Sequence, residues 1–279
     1  MPILGINYDM CISCKECVFE CPGFHYKEME NGQIVFDDPR KRCILCGHCI
    51  AVCPVDAILH EGLGEVEIFS GIDNPPSIAS YDTIYKFLRT IRAVRRYKKD
   101  KVPDELLERV FNAMKHAPTG ANVRSEKITI ISDPEKLKEL SNTIIEALMS
   151  DSSWRGRFAN TFKTLEKEFE IPAFFDAPHL IVVHSPMPMM INYIELGNII
   201  TYGRIAAQAL GLGTCFIGWT QMANEINPKI KKLVRASGNT LCGFTLGYPD
   251  VKYYQIPPRT PLKIRKISKK ETIQIPPSL

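Results

Sequence analysis

Eight of the ten cysteines fall within the first 53 residues, in two runs of identical spacing: Cys11-x-x-Cys14-x-x-Cys17-x-x-x-Cys21-Pro22 and Cys43-x-x-Cys46-x-x-Cys49-x-x-x-Cys53-Pro54. This is the one internal repeat of the chain. A four-iron cubane needs four thiolates arriving from different directions. A C-x-x-C-x-x-C loop wraps three of them around one corner of space, and the fourth, followed by proline, points away to a second site. The spacing therefore predicts two [4Fe–4S] clusters, one on Cys11, Cys14, Cys17 and Cys53 and the other on Cys43, Cys46, Cys49 and Cys21. A zinc ribbon uses two C-x-x-C pairs, which would leave half of each run without a role. A disulfide scaffold conflicts with the reducing compartment argued below. The chemistry expected here is one-electron transfer. Clusters do not select a substrate, so the rest of the chain must.

The chain has 279 residues, 45% of them hydrophobic and 24% charged, with a net charge of +4. That balance excludes an intrinsically disordered protein, and the length allows a sizeable core. No apolar run approaches the roughly 20 residues of a membrane span. Met1 to Met10 lacks a basic region followed by an apolar stretch. A cytoplasmic protein without a membrane partner is expected. Charge is uneven: residues 1–62 hold five Lys/Arg against nine Asp/Glu, a net −4, and the remainder is +8. An excess this small, with no basic face, predicts no nucleic-acid partner. Gly62-Leu63-Gly64 and the run Ser70 to Ser77, with its Asp-Asn-Pro-Pro, mark a turn-rich linker. The expected division is 1–62, a linker at 63–82, a larger domain at 83–265 and a tail at 266–279.

Stepping outward from the cysteines, helical and strand patterns alternate from Asp82 on. Leu106, Leu107, Val110, Phe111 and Met114 share one helical face behind Pro103. Lys127 to Ile131 reads as a strand. Asp133-Pro134 opens a helix with Leu137, Leu140, Ile144, Ile145 and Leu148 inward. A polar helix is expected over 158–170, a buried strand over 179–184, and a long helix from Asn192 to Leu210, closed by Gly211. Then come a strand-like piece, Thr214 to Trp219, a helix around 228–235 and a strand over 240–246. The tail from Lys263 is basic, then Pro-rich, and is expected to be loosely held.

Within this frame stand Arg92-Ala93-Val94-Arg95-Arg96-Tyr97, His116-Ala117-Pro118-Thr119-Gly120-Ala121-Asn122, Gly211-Leu212-Gly213-Thr214-Cys215-Phe216-Ile217-Gly218, Gly247-Tyr248-Pro249 and Pro258-Arg259-Thr260-Pro261. Taken singly they read as a solvated basic run, turns and a helix cap. In this order and spacing they resemble the nitroreductase family of FMN enzymes, over about residues 83–265. The cysteine segment resembles bacterial two-cluster ferredoxins over about the first 60 residues. The resemblance implies an α+β chain: a small ferredoxin-like N-terminal domain, then an α/β sandwich with a central, mostly antiparallel sheet.

It also implies roles. Arg92 and Arg95, with Ala93 and Val94 between them, would meet the FMN phosphate, where guanidinium forks match a dianion. Arg259 would reach the same phosphate from the C-terminal side. Pro118, Thr119, Gly120 and Asn122 would lie along the flavin ring and ribityl chain. Ile217 and Gly218 would turn a backbone N–H toward flavin N5. A homodimer with the flavin between subunits is implied too.

Three departures are visible. Ile91-Arg92-Ala93 replaces the family's Arg-Arg-Ser, and Arg124 replaces a glutamine, which would favour reduced flavin. The first cysteine run continues Gly23-Phe24-His25-Tyr26, where the second continues Val55-Asp56-Ala57-Ile58. Cys215 and Cys242 read as small buried hydrophobes. Neither His48 nor His116 has metal-ligand spacing, and no side chain is assigned as catalytic acid or base.

The expected activity is an oxidoreductase that passes electrons from the clusters to FMN and on to a small electrophile: a nitroaromatic, a quinone or an activated alkene. Ferredoxin or NAD(P)H would be the donor. Two other readings share the same residues. In one, NAD(P)H reduces the flavin and the clusters carry electrons outward. In the other, the chain is an electron-transfer subunit serving a protein partner.

Overall fold

The computed structural model describes residues 3–187, 191–265 and 272–274. The N-terminal region runs β1 (Ile3–Ile6), α1 (Glu16–Glu20), β2 (Tyr26–Glu28), β3 (Ile34–Phe36), α2 (His48–Ala51) and β4 (Ile58–His60). β1 pairs antiparallel with β4 and β2 with β3. The cysteine repeat is a backbone repeat as well. Ser13 and Lys15 in the first run, and Leu45 and Gly47 in the second, hold the same left-handed positions, as do Phe24 and Asp56, three residues beyond Cys21 and Cys53. The departure after Cys21 is therefore one of side chains, and the chain path is kept. Phe24 is 79% exposed and Tyr26 takes the inward place. The core is slight: Ile3, Ile6, Tyr26, Ile34, Ala57 and Ile58 around Cys49.

After the linker, which holds a short α3 (Pro75–Ile78), α4 (Tyr81–Thr90) starts on a cap: the Ser80 hydroxyl accepts from the Thr83 N–H. The larger domain follows with α5 (Asp104–Met114), β5 (Lys127–Ile131), α6 (Pro134–Ser150), α7 (Ser152–Glu168), β6 (His179–Ser185), α8 (Ile191–Ala209), β7 (Gly213–Ile217), α9 (Gly218–Ile226), α10 (Lys229–Leu233) and β8 (Thr240–Gly247). Its four-stranded sheet has the order β5-β6-β8-β7, antiparallel throughout. Alternation along β6 divides the core between two layers. Leu180 and Val182 face α6, α7, α9 and α10. Ile181 and Val183 face α5 and α8, where Val110, Met114, Leu196, Ile200 and Phe244 are buried.

Three expectations are corrected. The polar helix begins at Ser152 rather than 158, because Asp151 Oδ1 accepts from the Ser153 and Trp154 N–H groups and caps it there. The strand-like piece ends at Ile217, and a helix, α9, takes over at Gly218. The tail is paired where it is described, β9 (Lys263–Arg265) lying antiparallel to β10 (Thr272–Gln274). Its other residues, 266–271 and 275–279, lie outside the described set. Among the described residues no helix is long and apolar enough to cross a membrane.

Candidate functional site

The eight N-terminal sulfurs divide four and four. Cys11, Cys14, Cys17 and Cys53 line one cavity, with Ile6, Ile34 and Ile58 behind them. Cys21, Cys43, Cys46 and Cys49 line another, with His25 and Tyr26. Among the described residues no three His, Cys, Asp or Glu side chains form a group that could hold a single ion. The sulfurs ring spaces instead of meeting at a point. Burial and the neighbouring Cys14 and Cys11 push the Cys17 thiol up to about 11. Burial raises Cys43 and Cys49 as well. Such crowded thiols ionise together only around a strong positive centre, which metal ions supply.

The surroundings fit a sulfur-rich guest. The N–H groups of His25 and Ala57 donate to Cys21 Sγ (3.3 Å) and Cys53 Sγ (3.2 Å), at matching places in the two runs. Among the described residues His25 Nε2 is buried without a hydrogen-bond partner, and the buried Tyr26 hydroxyl lies within hydrogen-bonding reach of the Cys49 sulfur. Both residues line the second cavity. Asp38 braces that loop by accepting from the N–H groups of Arg42 and Cys43, both at 2.8 Å.

In the larger domain the Arg92–Arg95 segment lies along β7. Ala93 bridges Thr214, and the Val94 N–H donates to the Thr214 carbonyl (2.9 Å). The approach is close because Gly213 has no side chain: a Cβ there would meet the Val94 side-chain carbons at 2.8–2.9 Å. Val94 is thus a buried anchor, and its neighbours carry the charge. Arg92 lines a pocket with Thr90, Gln208, Lys252 and Tyr253. Arg95 stands over the Phe175 ring at 5.8 Å. Arg204, on α8, donates from Nε to Thr214 Oγ1 (3.2 Å). Burial raises the Cys215 thiol, while Arg95 and Arg204 pull it back. Burial alone pushes Cys242 up to about 11, so both thiols behave as the buried hydrophobes expected. Arg204 is the one cation of α8, the signal by which the sequence could have pointed to it. Arg259 is exposed on the segment after β8.

At the far end of β7, Ile217 is buried in the core and Gly218 is half-buried at the first turn of α9. The 118–122 loop is fixed separately. The Gly120 N–H donates to Glu195 Oε1 on α8 (2.6 Å), and the Arg124 N–H to Thr119 Oγ1 (3.3 Å). Asn122 points toward the N-terminal region: its Nδ2 donates to the carbonyls of Ile44 (3.0 Å) and Leu45 (2.9 Å), inside the Cys43–Cys46 loop. Its Oδ1 accepts from Arg124 Nε (2.8 Å). Pro118 is exposed beside Thr119.

Comparison with known proteins follows this division. Residues 88–248 match the nitroreductase family, and residues 10–58 match a 4Fe-4S dicluster domain. An iodotyrosine deiodinase of Thermotoga neapolitana is 27% identical over 173 residues, 60% of this chain and 89% of that protein. A probable oxidoreductase of Bacillus subtilis, YjgC, is 29% identical over 85 residues, 26% of this chain. The chain spans only 9% of that relative's length. A nitroreductase from Bacteroides fragilis, solved with bound FMN, superposes with a TM-score of 0.53 at 20% identity, covering 65% of this chain and 98% of that one. The chain belongs to the nitroreductase family of oxidoreductases, and carries a 4Fe-4S dicluster domain ahead of its nitroreductase domain.

Proposed function

We propose that this chain takes electrons in through two [4Fe–4S] clusters, collects them on FMN and delivers them to a small electrophile: a nitroaromatic, a quinone or an activated alkene. The observation that carries this reading is the four-and-four division of the cysteines around two cavities in a chain of the nitroreductase family. Each cavity would hold one cluster on its four thiolates. Backbone N–H groups at residues 25 and 57 would donate to ligating sulfur, and His25 and Tyr26 would offer donors to the second cluster.

FMN, present in the fold relative from Bacteroides fragilis, interconverts one- and two-electron chemistry when bound. Arg92 with Lys252, and Arg95 with Arg204, would hold its phosphate end, and Arg259 would close on it. Pro118, Thr119 and Gly120 would flank the ring. The free N–H groups of the first turn of α9, beginning at Gly218, bring the positive end of a helix dipole to where charge builds on reduction. The exposed Ile194 and Tyr202 on α8 support a two-fold partner there. A cytoplasmic setting, with ferredoxin or NAD(P)H as donor, completes the reading.

A halogenated phenol is a second acceptor class, favoured by the deiodinase match over most of that relative's length. The test starts from anaerobic protein, with iron, acid-labile sulfide and extracted flavin assayed together. About eight irons and one FMN per chain are expected, and zinc in place of iron would end the proposal. Stopped-flow mixing with NADH, NADPH or reduced ferredoxin identifies the donor as whichever bleaches flavin fastest. Reoxidation by a nitroaromatic, a quinone or an iodophenol, with iodide release measured, ranks the acceptors. No faster reoxidation than in buffer would favour an electron-transfer subunit.

A further inference from the structure

The two cysteine loops share a backbone but not a neighbour. Ile12, in the first, is 62% exposed and Cys14 is exposed, whereas Ile44 and Cys46 in the second are half-buried. Among the described residues no hydrogen bond from the larger domain reaches the first loop. The second receives two, both from Asn122. A side-chain amide has two donor hydrogens, and Ile44 and Leu45 take both. Both donors are thus engaged by the cysteine loop. The loop that carries Asn122 is itself braced. Glu195 pins Gly120, Arg124 occupies the amide oxygen, and Ala121, Asn122 and Arg124 all take left-handed backbone angles. On the other side of the contact Leu45 is left-handed too, as Ser13 is at the matching place in the first loop.

We propose that Asn122 is a docking residue: it clamps the Cys43–Cys46 loop to the nitroreductase domain, so that the second cavity is the flavin-side terminal of the electron path and the first is the outer one. The proposal rests on the reading above that the cavities hold clusters and the domain holds FMN. Electrons balance with a donor of the ferredoxin class: each donor molecule loses one, and two donors with two protons from water reduce one flavin.

The test compares full-length wild type, Asn122→Ala and Asn122→Asp, all reconstituted anaerobically; aspartate keeps the shape but has no donor. Iron and FMN contents come first, so a wild type lacking either exposes failure of the underlying reading before any variant is compared. With both retained, amide hydrogen exchange over residues 44–47 is expected to rise about tenfold in each variant, the scale of losing two ordinary hydrogen bonds. Flavin bleaching by reduced ferredoxin slows by a similar factor, and direct bleaching by dithionite is unchanged. Two results overturn the proposal. One is loss of FMN with exchange at 44–47 unaltered, which makes Asn122 a flavin contact. The other is full FMN with exchange and bleaching both as in wild type.

Discussion

The N-terminal region and the nitroreductase domain are stabilised in different ways. The larger domain closes two apolar layers over an antiparallel sheet, with residues such as Phe162, Phe174, Phe244 and Leu148 fully buried. The smaller gathers a few aliphatic side chains and Tyr26 around half-buried cysteines, and pieces of that size rarely stay folded on apolar burial alone. Its cohesion must come from what the thiolates bind, since ligand binding to sites absent from the unfolded chain is itself folding free energy. The difference teaches where each kind of damage should register.

The largest effect should follow anaerobic iron chelation. Residues 3–60 lose hydrogen-exchange protection while the sheet strands of the nitroreductase domain keep theirs, and continued protection of β1 and β4 would break the contrast. Next comes Phe244→Ala, which opens a cavity against Met114 and α8. It should cost about 3–5 kcal/mol in the larger domain's denaturant unfolding, with iron content per chain unchanged. Gly213→Ala drives a methyl into Val94 and should cost about 1–3 kcal/mol; weaker FMN retention would accompany it as the Arg92–Arg95 segment lifts from β7.

The smallest effect is one of pH. Burial, and then Lys101 and Lys127 respectively, lower the pKa of His179 and His184. Both hold a proton more weakly in the fold than in the unfolded chain, which takes up protons as pH falls below about 6.5. Stability of the larger domain therefore falls from that pH downward, and His179→Gln should flatten the decline in midpoints measured from pH 8 to 5.

The sequence disclosed most of this wherever one residue type dictates one geometry. The cysteine spacing foretold which sulfurs share a cavity, and Asp133-Pro134 marked the start of α6, whose cap is Asp133 Oδ1 accepting from the Lys136 N–H. Residues 127–131 and 179–185 are strands because β-branched side chains fill both faces. What stayed hidden depends on partners distant in sequence. α9 opens with Gly218-Trp219-Thr220, poor helix starters, and is held by Trp219, whose Nε1 donates to the Ala173 carbonyl and whose ring meets Phe162 and Phe175. Arg204 gains meaning only beside Thr214, and Asn122 only beside a loop 77 residues away.

The contact between Gly213 and Val94 fixes one end of β7, and the start of α9 fixes the other. Five residues of strand separate the arginine-bearing segment from the helix N-terminus, about 13 Å at the usual rise. The strand is a ruler. In the proposed reading it would set the distance between the anionic tail and the flat head of FMN, and adding two residues to β7 would preserve the pleat yet mis-space the two grips.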